Sequence, residues 1–331
     1  MENVLPVIIV PEPSPTAPLK ILFAASGEFA LPTLAALSGI AEFQIQQVIS
    51  QPDRPAGRGR HPQPTAISQF AIERHLPLVR TDNINIEPLP PGDLLIVIAF
   101  GQKISPELAS RSTFGSINLH ASRLPNLRGA APINWAIIRG FNSTGNSIIR
   151  LAARMDSGAI LAQSEIPIGP AETAGELHDR LAQDGVALVL QTIRDLARGT
   201  ATESPQDESL ATIAPRMSRA DAHVDFASPD QTADAVCRRI RGTWPWPGCH
   251  FQLLDATGKA VSRVAIARAI PVASDESRWH PGEITGKLTV ATADGRAIEI
   301  QHLRPDGGRL MSLSEFVHGH LWLPGLRLLS A

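Results

Sequence analysis

The pattern of apolar and polar positions divides the chain into elements before any single residue is considered. From Leu19 to Ala25 the sequence runs Leu-Lys-Ile-Leu-Phe-Ala-Ala and stops at Ser26-Gly27, which predicts a buried strand. Residues 28–38 follow as a helix, with Pro32 in its first turn, where a missing N–H removes no hydrogen bond. Residues 43–50 alternate and predict a second strand; residues 65–75 predict a helix and 76–79 a short strand. Residues 93–100, Asp-Leu-Leu-Ile-Val-Ile-Ala-Phe, form a continuous apolar run, as expected of a strand covered on both faces. Residues 115–120 make a further strand, residues 146–154 and 159–167 two strands flanking a turn, and 173–198 a long helix. Strands that alternate with helices predict βαβ units and an α/β fold with a mostly parallel, Rossmann-like sheet.

The pattern changes near Arg198. Residues 199–215 are rich in Thr, Ser, Glu and Pro and read as a linker. Residues 230–241 suit one helix, and short apolar runs at 249–254, 261–270, 287–292 and 297–303 are broken by Gly, Pro and Asp. That spacing predicts a smaller C-terminal β-barrel of OB-like type. The expected organisation is a disordered tail over 1–18, an α/β domain over 19–198, a linker over 199–215 and the barrel over 216–331. The tail has an apolar stretch from Val4 to Val10 but no basic segment before it, and four prolines follow between Pro11 and Pro18, so no secretory signal is expected. No apolar run reaches the ~18 residues that a membrane-spanning helix needs.

Composition narrows the class. With 331 residues, two domains are the natural expectation, and 43% hydrophobic against 19% charged residues can build real cores. Lys plus Arg number 30 and Asp plus Glu 32, a formal net charge of −2, which excludes a uniformly basic nucleic-acid binder but leaves room for a local basic patch. Cys237 and Cys249 are the two cysteines, too few for a disulfide framework or a four-cysteine zinc site, and reduced thiols in a cytoplasmic protein are expected.

Four places could carry chemistry. Asn118 and His120 sit two apart at the end of a strand, so their side chains share a face at the edge where open sheets bind ligands. A donor beside a titratable ring suits polarising a carbonyl and moving a proton. On spacing alone, a satisfied histidine at a strand corner fits equally well. The stiff segment 121–133, with Pro125, Gly129 and Pro132, follows directly and is a candidate pocket wall; Asp156 lies in the turn Arg154-Met155-Asp156-Ser157-Gly158. The third place is the loop Gln51-Pro52-Asp53-Arg54-Pro55-Ala56-Gly57-Arg58-Gly59-Arg60, whose Arg54, Arg58 and Arg60 can be a solvated run or a phosphate contact. Arg238, Arg239 and Arg241 form a second such cluster, equally readable as an exposed helix face. No G-x-S-x-G elbow and no H-E-x-x-H or Cys/His ligand set occurs, so neither a serine nucleophile nor a metal is expected.

Taken together, Ser116-Ile117-Asn118-Leu119-His120-Ala121-Ser122-Arg123-Leu124-Pro125, Arg128-Gly129-Ala130-Ala131-Pro132-Ile133 and Met155-Asp156-Ser157-Gly158-Ala159-Ile160 resemble the formyltransferases that use 10-formyl-tetrahydrofolate. The resemblance runs from about Leu19 to the end and is strongest to the branch whose acceptor is methionyl-initiator tRNA. It implies that Asn118, His120 and Asp156 are catalytic. In that reading Asn118 and a protonated His120 hydrogen-bond the formyl oxygen. Asp156 orients His120, holds it charged and orders a water that relays protons. It further implies that Ser122, Arg123, Leu124 and Pro125 bind the folate, which comes and goes as a co-substrate, and that Arg54, Arg58 and Arg60 contact tRNA. The segment Trp244-Pro245-Trp246-Pro247-Gly248 resembles one in the family's C-terminal domain. A monomer without membrane association is expected.

Departures are Ala25-Ser26-Gly27 where Gly-Thr-Pro is usual, Phe100 in place of Tyr, and Arg123 where the family's loop has Leu. The same architecture also resembles sugar-nucleotide N-formyltransferases, with a small-molecule acceptor; the basic loop and the Trp-Pro-Trp-Pro segment argue against that acceptor. A non-catalytic folate-binding module is a third reading, opposed by the intact Asn118, His120 and Asp156.

Overall fold

The computed structural model describes residues 17–56, 61–274 and 278–331. The expected tail therefore lies outside the described residues up to residue 16. The chain divides into two compact units, Met1–Ser116 and Ile117–Ala331.

The first unit contains β1 (Leu19–Ala25), α1 (Leu31–Gly39), β2 (Phe43–Ser50), β3 (Arg54–Ala56), β4 (His61–Gln63), α2 (Ala66–Glu73), β5 (Leu78–Arg80), β6 (Leu94–Ile98) and the short α3 (Pro106–Ala109). Its main sheet is parallel, in the order β6-β1-β2-β5. Ile21, Phe23, Val48, Ile49, Leu95 and Ile96 are fully buried, which explains why β1 and β6 read as unbroken apolar runs. The Thr65 hydroxyl caps α2 by accepting from the Ser68 N–H at 3.0 Å and also bonds the Ser50 hydroxyl at 2.7 Å, fixing the helix start to the end of β2. The arginine loop differs from the expected irregular loop. Its two arms pair as an antiparallel hairpin of β3 with β4, with Pro55 opposite Pro62. Prolines donate nothing to a ladder, so the sequence masks these strands.

The second unit opens with β7 (Ser116–His120), then α4 (Pro132–Ile138), β8 (Ser143–Thr144), β9 (Ser147–Arg150), β10 (Ile160–Gln163), β11 (Ile166–Pro167) and α5 (Ala174–Arg198). β9 runs antiparallel to both β7 and β10, and β8 pairs with β11. A capping box of Thr173 and Glu176 starts α5, and Gly199, left-handed at φ 70°, ends it. Leu177, Leu181, Val189, Ile193 and Leu196 form its buried face. The short helix α4 was not evident in the sequence, because its seven residues begin at a proline inside a segment that reads as a stiff loop.

After residue 215 come α6 (Ala233–Thr243), β12 (Cys249–Leu254), β13 (Ala260–Val272), β14 (Val290–Ala291), β15 (Ala297–Pro305), β16 (Met311–Ser312), α7 (Leu313–Phe316) and β17 (Arg327–Ser330). The antiparallel order is β14-β15-β13-β12-β17, with β16 on β15. Gly282–Ile284 stitches the two ends together: the Gly282 N–H donates to Ala291 O and the Leu328 N–H to Gly282 O, both at 2.8 Å. The result is a nearly closed barrel around Phe226, Phe251, Phe316 and Trp322. Register shifts on either side of Arg268 let the 13-residue β13 bend around it.

Helix α6 joins the barrel to the preceding elements. Asn134 Nδ2 donates to Gly242 O at 2.8 Å, and the buried Arg241 donates to Glu172 O at 2.9 Å. Burial disfavours the Arg241 charge and lowers its pKa from the ordinary value. Arg239 donates to Asp221 O at 2.9 Å, and Arg238 lies against Gly140. Arg241 is therefore a packed joint, while Arg238 and Arg239 are half-buried rather than a fully exposed helix face. Among the described residues no helix is long and apolar enough to cross a membrane.

The capping box predicts that Thr173→Ala, which removes the hydroxyl that accepts from the Glu176 N–H, lowers stability by about 1 kcal/mol. Urea denaturation measures this; an unshifted midpoint would show that the cap is dispensable.

Candidate functional site

The ladder between β7 and β9 sets the site. Asn118 faces Ile149 and His120 faces Ser147 in the register, so both side chains leave the same face of β7 at its carboxyl end. His120 is 6% exposed. Its Nε2 lies 3.0 Å from the Leu127 carbonyl, which can only accept, so Nε2 carries a hydrogen. Nδ1 faces Asp156 Oδ2 at 3.6 Å, close enough for an ion pair and too far for a good hydrogen bond. Nδ1 is thus the ring nitrogen still available to a substrate. A ring protonated on both nitrogens presents a donor to each neighbour. No hydrogen bond from a described residue engages the Asn118 side-chain amide.

Asp156 occupies the turn between β9 and β10 in a left-handed conformation, φ 55°. Its Oδ2 accepts the Gly129 N–H at 2.9 Å, and no described residue donates to its Oδ1. Gly158 closes the turn, and a Cβ there would lie 1.8 Å from the Arg150 carbonyl oxygen. This is the physical reason for glycine in the Met-Asp-Ser-Gly sequence. Gly129, at φ 119°, passes so close to Ala214 that a Cβ would meet its carbonyl oxygen at 2.5 Å. His120 and Asp156 thereby face one another, and Asn118 leaves the same face of β7 two residues before His120.

The segment after His120 is a rigid loop whose polar groups face inward. The Ser122 hydroxyl donates to Asn126 O at 2.6 Å, and the Leu124 N–H donates to the Ser147 hydroxyl at 3.0 Å. Gln163 Nε2 donates to Leu124 O at 2.8 Å. Arg123 turns outward to Glu165 at 2.7 Å, beside a cavity of about 280 Å³ lined by Asn126, Phe141, Ser143, Thr144 and Gln163. Ser122 and Leu124 thus present packed surface rather than free side-chain donors.

The segment 199–215 is more than a connector. Ser204 exchanges both backbone bonds with Ile160, at 2.8 and 2.9 Å. The Thr212 hydroxyl accepts the Leu127 N–H at 2.8 Å, and Ala214 donates to Arg128 O at 2.7 Å. Gln206 and Glu208 grip the side chain of Arg128, which is 3% exposed. These supporting residues were missed because their Thr-, Ser- and Pro-rich composition reads as a linker. The residue pair Gln206 and Glu208 with two-residue spacing gave no signal alone. Of the arginine loop, Arg54 is exposed on β3, and Asp53 pairs with Arg80 at 3.2 Å rather than with it. Arg58 and Arg60 lie outside the described residues. Among the described residues no group of three or more His, Cys, Asp or Glu side chains could hold a metal ion.

Comparison with known proteins places these features in context. The formyl transferase family matches residues 19–193, and the formyl transferase C-terminal domain matches residues 216–321. Methionyl-tRNA formyltransferase of Acidobacterium capsulatum is 36% identical over 94% of this chain and 99% of its own length. Further relatives of that name reach 34–37% identity. Among solved structures, the N-formyltransferase from Helicobacter canadensis, in complex with folinic acid and dTDP-3-aminofucose, superposes with a TM-score of 0.63 at 16% identity, over 85% of this chain and 98% of that one. HypX from Aquifex aeolicus superposes with a TM-score of 0.57 at 20% identity over 91% of this chain, which spans about half of that longer protein. These likenesses establish the shared fold.

The turn geometry predicts that Gly158→Ala forces Arg150 O aside and destabilises the protein by about 1–3 kcal/mol, the usual cost of overpacking. Chemical denaturation checks this; a loss below a few tenths of a kcal/mol would show that the turn can open freely.

Proposed function

The chain belongs to the formyl transferase family, and from that premise we propose that it transfers the formyl group of 10-formyl-tetrahydrofolate to the α-amine of methionyl-initiator tRNA, preparing that tRNA for translation initiation. We assign residues 19–198 to the catalytic domain, 199–215 to the connection and 216–331 to the barrel, in keeping with the two matched family segments. The acceptor follows from the relatives, which carry the methionyl-tRNA formyltransferase name at about one-third identity over most of both chains. Sugar N-formyltransferases share the fold at 16–18% identity and do not assign a sugar acceptor.

The observation that carries the reaction is a histidine at the end of β7 facing a carboxylate at 3.6 Å, beside an amide on the same strand face that has no partner among the described residues. A formyl amide needs a donor for its oxygen and an acceptor for the attacking amine's proton, and Asn118 and Asp156 Oδ1 offer these. The co-substrate supplies an activated formyl carbon. As the amine attacks that carbon, a new C–N bond forms and charge grows on the formyl oxygen. Asn118 Nδ2 and the Nδ1–H of protonated His120 stabilise this oxyanion, while Leu127 O holds the ring by Nε2. Preorganised donors of this kind are worth more in a buried site than in water. Asp156 stays beside His120 and passes the amine's proton through a water to N10 of the departing folate as the C–N10 bond breaks. The 122–125 loop contributes shape to the folate site through Leu124 and Pro125, with Ser122 holding the loop together and Arg123 at its rim. Arg54, Arg58 and Arg60 contact the tRNA, a role supported by the exposure of Arg54 and the diversion of Asp53 to Arg80. The charged-tRNA acceptor leads us to assign the protein to the cytoplasm, acting as a monomer.

Purified protein is expected to formylate charged initiator tRNA and leave an amino-sugar nucleotide unmodified; the opposite selectivity would overturn the proposal. Asn118→Ala and His120→Ala should each lower kcat by about 100-fold or more, with smaller changes in KM, because their bonds strengthen as the oxyanion forms. Asp156→Asn should fall on the same scale, and retention of a tenth of wild-type turnover would remove its role. In the arginine loop, each of Arg54, Arg58 and Arg60 that meets a phosphate should, on substitution by Ala, make the salt dependence of tRNA binding shallower by about one unit of log–log slope. Folate binding should not change. Unaltered salt slopes in all three variants would exclude the loop from the tRNA interface.

A further inference from the structure

The hydrogen bonds around Asp156 form a closed frame whose far side belongs to the 199–215 segment. Gln206 Nε2 donates to the Asp156 carbonyl and to the Gly158 carbonyl, each at 2.8 Å. Gln206 Oε1 accepts from Arg128 Nε at 3.0 Å and from an Arg128 terminal nitrogen at 2.8 Å. The next residue along the chain, Gly129, closes the frame by donating its N–H to Asp156 Oδ2 at 2.9 Å. Both ends of Asp156, its backbone carbonyl and its carboxylate, are thus tied to one dipeptide. Among the described residues, only Gln206 ties the backbone carbonyl. Glu208 steadies the outer side by accepting from both terminal nitrogens of Arg128, at 3.0 and 2.8 Å.

The frame answers a physical need. Asp156 sits at φ 55°, a left-handed conformation that persists in a non-glycine residue where its surroundings over-determine it. Gln206 holds two carbonyls of the turn at once. Without it the turn can relax, and rotation about the Asp156 backbone would carry the carboxylate away from His120 Nδ1. Arg128, 3% exposed, has its charge matched by Glu208, so its guanidinium is a fixed strut rather than a free cation for a substrate.

We infer that Gln206, held by Arg128, is a positioning residue for formyl transfer: it acts through Asp156, fixing the carboxylate against His120, and touches neither substrate. The inference rests on the function proposed above and gives the interdomain segment a part in the reaction.

Two variants separate this role from simple bracing. Gln206→Glu keeps an acceptor for Arg128 but replaces the donor to the Asp156 and Gly158 carbonyls by an oxygen. Gln206→Met removes both interactions. Kinetics with 10-formyl-tetrahydrofolate and charged initiator tRNA should show kcat reduced by about tenfold to a hundredfold in each variant, the scale of a misplaced catalytic group, with both KM values within about twofold of wild type. In the Asp156→Asn background, measured under single turnover, Gln206→Glu should cause less than a twofold further loss, since its effect passes through the carboxylate already removed. Wild-type kcat in Gln206→Glu, a defect confined to KM, or losses that multiply in the double variant would each overturn the inference while leaving the function standing. Loss of the folded state in both Gln206 variants, seen by circular dichroism, would overturn it as well, because that marks a structural brace. A wild-type protein that formylates no charged tRNA would overturn the function and this inference together, and the wild-type arm reads that first.

Discussion

Three consecutive residues, Leu127 to Gly129, hold both members of the histidine–carboxylate pair. The Leu127 carbonyl holds His120 by Nε2 at 3.0 Å, and the Gly129 N–H holds Asp156 by Oδ2 at 2.9 Å. One short stretch can present a carbonyl to one partner and an N–H to the other only if its peptide planes turn sharply. Leu127 at φ 62° and Gly129 at φ 119° supply that turn. Positive φ is costly for leucine, and the stretch is held in place by Thr212 and Ala214, which pair with it along its outer edge. The geometry of the site therefore depends on backbone conformation stabilised from a distant part of the chain.

What this rigidity leaves free is as informative as what it binds. The Asn118 amide and Asp156 Oδ1 have no partner among the described residues, while the neighbouring polar groups of Ser122, Leu124, Ser147 and Gln163 bond one another. A donor and an acceptor left open beside a fixed imidazole are consistent with groups whose partners arrive with substrate. Donors held in place beforehand need no reorganisation as charge develops, and this is the electrostatic basis of the proposed formyl transfer.

The distribution of arginines follows a division of labour. Arg128, Arg239 and Arg241 are tied to oxygens within the second unit, and Arg241 is buried deeply enough for its charge to be disfavoured. Such side chains join elements of the fold. Arg54, exposed on a hairpin rich in proline, differs in kind. Net charge close to neutral is compatible with nucleic-acid contact at a local basic patch.

Much of the architecture was legible in the sequence because it follows from local periodicity. The buried parallel strands, the alternating β2, the long α5 and the antiparallel barrel strands all carry their pattern within a few residues. The two-residue spacing of Asn118 and His120 put them on one face of a strand, and family resemblance singled out Asp156. The rest was decided by contacts far apart along the chain, which no local pattern encodes. The hairpin of β3 and β4 hides behind its prolines, and α4 behind a loop-like start. Arg241 looks exposed until the elements around α6 close over it. The segment 199–215 has the composition of a linker, yet Gln206 reaches Asp156, fifty residues earlier, and Thr212 reaches Leu127. Composition reports what a segment could do in water, whereas its role here is set by which backbone groups the fold leaves within hydrogen-bonding distance.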